Sequence, residues 1–412
     1  MKRASIVSIG NELLSGQTVD TNAAFLSQQL LSIGIPVVSS YTVGDDTDSI
    51  VRLFNLASSD ADLILATGGL GPTDDDLTRQ AFAKFLGSEL QLQKELLEKI
   101  QDFFTSRNRQ MSSTNKIQAY IPAGAKALAN NLGTAPGIMA EVEGKLLFAL
   151  PGVPSEMRQM FEESVLPELH GLAGRQAIVI RKLRCFGTGE SNIAELLSPL
   201  MERGRNPLIN STASRGVITL TITGTAENKD TAEQMAEKDE KFLRNKLGEL
   251  VYGTGEQTLA EVVGEKLARQ NKTIAVAESC TGGCLAKLLT DIPGASRYFT
   301  YGWFTYSNSA KTSEVGVPAH LIEKHGAVSK QVAQAMAQGA RKKAGTTFAI
   351  GITGIAGPAG ASEQKPVGLV YISIDSDNRC ETKRFVFSGG RDTIRLRTAQ
   401  TALNMLRLKL QD

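Results

Sequence analysis

The chain has 412 residues, of which 42% are hydrophobic and 21% charged; that length exceeds one ordinary core and predicts two or three domains. Lys+Arg 45 against Asp+Glu 43 leaves a net charge of +2, which makes no electrostatic case for nucleic acid or a membrane surface. No run reaches the length of a membrane span, the opening MKRASIVSIGNELLSG is too short and broken in its apolar run for a secretory signal, and Cys185, Cys280, Cys284 and Cys380 form no CxxC pair, so a reducing cytoplasm is expected.

Residues 1–168 alternate strand and helix signals. A strand is predicted over 4–9, then a helix over 21–33 that Asp20 caps and Gly34 ends. Extended chain at 35–43, a helix at 49–58 and the short buried run DLILA at 62–66 complete a βαβαβ order. That order implies a parallel sheet with helices on both faces. Runs at 138–142 and 146–150 predict a hairpin, and a helix over 155–165 closes the unit.

The turn after DLILA reads Thr67-Gly68-Gly69-Leu70-Gly71-Pro72-Thr73, followed by Asp74, Asp75 and Asp76. Two readings stand. Glycines let backbone approach phosphate closely, and the aspartates can hold a divalent cation that bridges phosphate oxygens. Equally, an acid-rich helix start is what the helix dipole favours anyway. Further glycine-rich turns at 131–137 and 150–157, the second containing Pro151 and Gly152, favour a phosphate or nucleotide pocket. With His170, His320 and His325 the only histidines, a metal here should be oxygen-liganded and magnesium-like rather than zinc.

A small α+β unit is predicted over 169–253. It has a β-run at 177–185, a helix from Glu190, strands at 208–211 and 217–223, and a charged amphipathic helix over 229–247. Residues 211–215 are expected to be a solvated polar loop, and linkers are expected at 167–176 and 248–257.

Residues 254–412 are again α/β, with helices expected at 259–270, 284–290, 329–344 and 392–410. Strands are expected at 273–277, 297–306, 348–353, 368–374 and 383–387. Ser279 falls at a strand-to-helix turn, where open α/β sheets bind ligands, and the following helix directs its first N–H groups there. Lys311 and Asn308 lie at the end of the second strand-like run. Ser279 then reads as nucleophile and Lys311 as its base, although a helix-capping serine and a solvated lysine fit the local sequence equally well. Cys280, with no histidine nearby in sequence, reads as packing. An ordinary lysine of pKa ~10.4 must fall by about 3 units, worth about 4 kcal/mol, to serve as a base; burial can supply that shift. Oxyanion donors are expected among the amides of Cys280, Thr281 and Gly282, or near Thr353 and Gly354.

Taken together, TGGLGPT at 67–73, GTAPG at 133–137 and LPGVPSEM at 150–157 resemble the molybdopterin-binding (MoaB/MogA-like) domain of the CinA family. AESCTGG at 277–283, TYSNSAK at 305–311, GAVS at 326–329, GITGIAGP at 351–358 and KPVG at 365–368 resemble its C-terminal, nicotinamide-nucleotide amidohydrolase (PncC) domain. The resemblance implies two α/β domains, 1–168 and 254–412, joined by a small α+β KH-like domain at 169–253. It implies hydrolysis of nicotinamide mononucleotide to nicotinic acid mononucleotide and ammonia, without a cofactor at that site. Ser279 matches the nucleophile and Lys311 the base, while Asn308, Thr353 and Arg391 match substrate-lining positions, Arg391 as a clamp for the 5′-phosphate. Cys280, Thr281, Gly282 and Gly354 complete that binding set. In the N-terminal domain the resemblance implies metal-dependent hydrolysis of ADP-ribose. Its pocket takes Gly10, Glu12, Thr67, Gly68, Gly69, Gly71, Thr73, Pro151 and Gly152, with Asp75 and Asp76 holding a divalent cation of the Mg2+ or Co2+ kind. The loop at 211–216 departs from the family pattern. A homodimer working on small nucleotides is expected, with neither membrane nor nucleic acid as partner. The alternative is a non-catalytic nucleotide- or molybdopterin-binding partner in competence or DNA repair.

Overall fold

The computed structural model describes residues 2–169, 177–377 and 379–410. The chain forms two compact units, Met1–Val179 with Gly224–Gln234, and Ile180–Thr223 with Met235–Asp412.

In the first, β1 (Ala4–Ile9), α1 (Asn11–Leu14), α2 (Thr21–Ser32), β2 (Val37–Val43), α3 (Thr47–Asp60) and β3 (Leu63–Thr67) follow the expected alternation. Asp20 and Asp46 cap α2 and α3 by accepting amide hydrogens of Ala23 and Ser49, each cap being worth about 1 kcal/mol. Between residues 78 and 128, where no strong periodicity guides assignment, lie α4 (Thr78–Phe85), β4 (Leu90–Leu92), α5 (Lys94–Thr105), β5 (Tyr120–Pro122) and β6 (Lys126–Leu128). The hairpin β7 (Gly137–Val142) and β8 (Lys145–Leu150) then leads to α6 (Pro154–Met160), a π-helical turn at Phe161–Val165, and α7 (Leu166–Leu169).

The sheet runs β2-β1-β3-β8-β7-β6, with β2, β1, β3 and β8 parallel. Strand alternation sends Val7, Ile9, Ile64 and Ala66 to a core with Phe54 and Phe82. Ala4, Ile6, Leu63 and Leu65 go to the opposite core with Leu26, Leu30 and Phe161. Burial on both faces explains the apolar run of β3 and why β1 carries only small or apolar side chains, Ser5 and Ser8 included.

The small sheet of β9 (Ala177–Cys185), β10 (Leu208–Ser214), β11 (Val217–Ala226) and β12 (Val251–Thr254) is ordered β10-β11-β9-β12 and carries α8 (Glu190–Leu197) and α9 (Lys229–Leu247). Two expectations are corrected. The stretch 211–215 is not a loop: β10 and β11 pair antiparallel as far as Ser214↔Val217, leaving Arg215 and Gly216 as a two-residue turn with φ of 51° and 83°. Positive φ at both positions matches the twist of a tight hairpin. Residues 248–257 are not a linker either, because β12 pairs with β9 and buries Tyr252. The other expected linker, 167–176, lies largely outside the described residues.

The last stretch comprises α10 (Leu259–Arg269), β13 (Ile274–Glu278), α11 (Cys284–Thr290), β14 (Phe299–Phe304), α12 (Asn308–Val315), α13 (Ala319–His325), α14 (Lys330–Ala344), β15 (Phe348–Gly354), β16 (Leu369–Ser376), β17 (Cys380–Val386) and α15 (Arg391–Lys409). Its sheet is β14-β13-β15-β16-β17. The first three strands are parallel and the last two antiparallel. Ile274, Val276, Ile350 and Ile352 face a core with Leu403 and Leu406 of α15, while Ala275, Ala277 and Ala349 face Met336 of α14. The small residues let α14 approach closely. At Gly351 even a Cβ would lie 2.4 Å from the Ala333 carbonyl. The core under α15 also takes in Phe186, Val217 and Tyr252, so the small sheet is packed onto this domain rather than tethered to it.

Both large sheets place a strand between two parallel neighbours, β1 between β2 and β3, and β13 between β14 and β15. The carboxyl ends of those two strands are the switch points at which open α/β sheets form ligand crevices.

Candidate active site

At the carboxyl end of β13 the chain buries a carboxylate, Glu278, with no exposed surface. A charge so placed must find hydrogen bonds. Glu278 accepts three from the amides of Gly283, Leu285 and Ala286, at 3.0, 3.2 and 2.7 Å. These are orphan donors of the α11 start, so the carboxylate satisfies them and complements the helix dipole. It thereby ties the 279–283 turn to the strand below it.

Ser279 follows directly and is 8% exposed. Its amide donates to the Ile352 carbonyl of β15, 3.1 Å away. Within the turn Gly282 donates to the Ser279 carbonyl and Cys284 to that of Thr281. Among the described residues the amides of Cys280 and Thr281 have no backbone acceptor, so within the turn they are the donors available to a ligand oxygen. Gly282, expected to share that role, is committed to the turn itself. The Thr281 hydroxyl is buried and unpartnered.

Lys311 is not at the end of a strand, as its sequence context suggests, but on the first turn of α12. Ser307 caps that helix by accepting the Ala310 amide hydrogen, and Asn308, exposed, precedes Lys311 by three residues, on the same helical face. Lys311 is 2% exposed. Its Nζ lies 3.1 Å from Ser279 Oγ, 2.9 Å from the Thr305 carbonyl and 3.2 Å from the Tyr306 carbonyl. Burial pulls its pKa below the ordinary lysine value of 10.5. In the neutral amine two N–H bonds serve the two carbonyls, and the lone pair is left for the serine hydroxyl proton.

Arg391, at the start of α15, donates to the Gly357 carbonyl (2.8 Å) and to the Tyr306 hydroxyl (3.3 Å). Tyr306, which sequence reasoning did not single out, is 65% exposed beside the lysine. Thr353 is buried with its hydroxyl donated to the Ala327 carbonyl at 2.8 Å, and its backbone lies opposite Tyr371 in the β15–β16 ladder. Gly354 serves strand pairing: a Cβ there would lie 2.7 Å from the Leu369 carbonyl. Burial pushes the Cys280 thiol up to about 12, which removes it as a nucleophile near neutral pH.

At the other switch point a cavity of about 470 Å³ is lined by Gly10, Glu12, Thr67, Gly68, Gly69, Gly71, Thr73, Asp75, Asp76, Pro151 and Gly152. Gly68 has φ of 107°, and a Cβ on it would meet the Ile9 carbonyl at 2.1 Å. Asp75, exposed, and Asp76, half-buried, converge on one Thr73 hydroxyl, 2.5 Å from each. A single proton serves only one of them, so the pair suits a shared cation. Among the described residues no group of three or more His, Cys, Asp or Glu side chains is arranged to hold a metal. Two carboxylates completed by ligand phosphate oxygens and water would be a magnesium-type site. Two further residues emerge only from the fold. Asn22 donates to Thr67 Oγ1 and the Gly152 carbonyl while its own buried Oδ1 has no partner. Arg79, buried, donates to the Leu70 and Gly71 carbonyls and holds the glycine turn from behind.

Residues 5–171 match the probable molybdopterin-binding domain family, 180–253 the damage-inducible protein CinA KH domain, and 256–410 the CinA C-terminal domain. A putative competence-damage inducible protein of Caldicellulosiruptor bescii is 43% identical over 409 residues, 99% of either chain. A CinA-like protein of Kosmotoga olearia is 43% identical with the same coverage. A crystal structure of CinA from Thermoplasma acidophilum, of unknown function, is 37% identical over 40% of this chain and 97% of that one, with a TM-score of 0.38. With three family domains in order and full-length relatives at that identity, the chain belongs to the CinA family.

Proposed function

We propose that the C-terminal domain hydrolyses the amide of nicotinamide mononucleotide, releasing ammonia and nicotinic acid mononucleotide. The observation that supports this most is the buried Lys311 Nζ, 3.1 Å from Ser279 Oγ. Ser279 Oγ attacks the amide carbon as its proton passes to Lys311. The resulting oxyanion is held by the Cys280 and Thr281 amides, each such donor being worth about 3 kcal/mol of barrier. The lysine returns the proton to the departing nitrogen, so that ammonia leaves and a nicotinoyl ester remains on Ser279. Water then attacks the ester with Lys311 again as base, freeing the acid and the serine. Arg391, whose guanidinium keeps N–H groups beyond those given to Gly357 and Tyr306, would bind the 5′-phosphate. The test is ammonia release from nicotinamide mononucleotide by the wild-type protein and by Ser279→Ala; no release by the wild type would favour a purely binding role.

A second reading concerns the N-terminal cavity, where the unpartnered Asn22 Oδ1 and the paired Asp75 and Asp76 support a metal-dependent nucleotide site hydrolysing ADP-ribose. AMP formation with and without added magnesium tests it.

A further inference from the structure

Behind the nucleophile turn, on the side of Gly282 and Gly283, lies a second pocket of about 880 Å³. Its walls carry four cations, Arg215, Lys287, Arg395 and Arg397, against one acid, Asp392. Lys287 is paired with Asp291. Arg395 spends two donors on the Thr281 carbonyl, at 3.0 and 2.9 Å, and stands 3.5 Å from Asp392. Arg397 lies 5.7 Å from the centre of the Phe387 ring without an acid partner, and among the described residues Arg215 has no hydrogen-bond or ion-pair partner. Arg215 comes from the β10–β11 turn, which is seated on α15: a Cβ on Gly216 would lie 3.7 Å from Arg397 Cγ and Gln400 Oε1. Phe304, 61% exposed, supplies an apolar wall.

Cations of one sign converging in a concave site, with an aromatic face beside them, suit an anion carried on a small organic body. Guanidinium groups favour phosphate oxygens in particular. We infer that this pocket binds a phosphate-bearing small molecule, and that the small α+β domain completes the site by contributing Arg215. Arg395 connects it to catalysis, because the Thr281 carbonyl it grips belongs to the turn whose Cys280 and Thr281 amides adjoin Ser279. The phosphate comes either from the substrate itself, reaching past Arg391, or from a separate ligand.

The experiment is calorimetric titration of the full-length protein with inorganic pyrophosphate at low ionic strength, for wild type and for Arg215→Asn/Arg397→Gln. Asparagine tolerates the left-handed backbone at 215, and circular dichroism checks that the double variant is folded. Saturable binding by the wild type and at least tenfold weaker binding by the double variant are expected, with Arg397→Lys keeping most of the affinity. Absence of saturable binding, or equal binding by wild type and double variant, would overturn the inference, whatever the outcome for ammonia release. The two sources separate in kinetics. A pocket for the substrate's own phosphate makes pyrophosphate a competitive inhibitor, and the double variant then raises KM for nicotinamide mononucleotide but not for nicotinamide riboside. A separate ligand changes kcat and leaves both KM values in place.

Discussion

The two switch points of this chain solve the same topological problem with opposite chemistry. At β13 the polar side chains are buried. A carboxylate, a lysine and a serine are all less than one-tenth exposed, and each is hydrogen-bonded within the site. At β1 and β3 the crevice is open, floored by glycine backbone and edged by the carboxylates of Asp75 and Asp76. Burial lowers the lysine's pKa, so that a neutral amine is available as base without histidine, whereas solvent access leaves carboxylates open to a cation. The first arrangement supplies chemistry from side chains; the second supplies a cradle and needs a ligand to complete it. The widest gap between the two should appear on removing Ser279 or Lys311. Ser279→Ala and Lys311→Met should each lower kcat for ammonia release by about 10³-fold or more, and leave any ADP-ribose cleavage unchanged.

Glu278 separates the sites next. Glu278→Ala leaves three buried N–H groups without an acceptor, at about 1–3 kcal/mol each. The variant should be destabilised by about 3 kcal/mol or more and lose about 100-fold in kcat as the oxyanion turn loosens. Glu278→Gln, keeping one acceptor, should fall between. Urea denaturation with parallel kinetics checks both; full activity in Glu278→Ala would mean the turn holds itself.

The lysine also predicts how the site responds to pH. Lowered by burial, Lys311 gives a kcat/KM that rises with pH through an inflection below 10.5. A cationic pyridinium in the complex should push the inflection in kcat lower still, and identical inflections would break the proposed substrate assignment. For stability the sign is the same. Between the lowered folded value and 10.5 the unfolded chain binds more protons at this position, so stability rises with pH across that window, and Lys311→Met should flatten the rise. Replacing Cys280 should do less: with its thiol pushed up to about 12, Cys280→Ser is expected to keep activity within about threefold.

How much of this was legible in the sequence follows from what each residue answers to. The strands β1, β3, β13 and β15 announce themselves because burial on both faces demands mostly apolar or small residues throughout. Helix starts at Asp20 and Ser329 are readable because capping is local. Ser279 could be placed at its turn for the same reason. Lys311 could not be placed on α12, since the strand-like run before it hides the Ser307 cap, and no local rule brings its amine to residue 279. Glu278 did carry a signal, a charge ending a fully apolar strand, which implies a buried acceptor of amides. The turn at Arg215 and Gly216 was hidden by the polar, weakly β-forming run ahead of it, and Asn22 and Tyr306 depend wholly on tertiary placement.

The smallest effect belongs to the open site, and it is the one that sharpens the contrast most. Asp75 is exposed and Asp76 half-buried, and their hydrogen bonds run to Thr73 within the same turn. An exposed group of this kind changes stability by no more than about 0.5 kcal/mol when substituted, and asparagine at 76 keeps an oxygen for the Thr73 amide. Asp75→Asn/Asp76→Asn should therefore melt with the wild type in the absence of ligand, and its ammonia release should be unaltered. With ADP-ribose and magnesium present the two proteins should part, because a ligand that binds only the folded state raises its stability in proportion to the logarithm of occupancy. The wild type is expected to gain a magnesium-dependent rise in melting temperature that the double variant lacks. An equal rise in both would leave the glycine cradle as the whole of the site, and the carboxylates as nothing more than a favourable helix start.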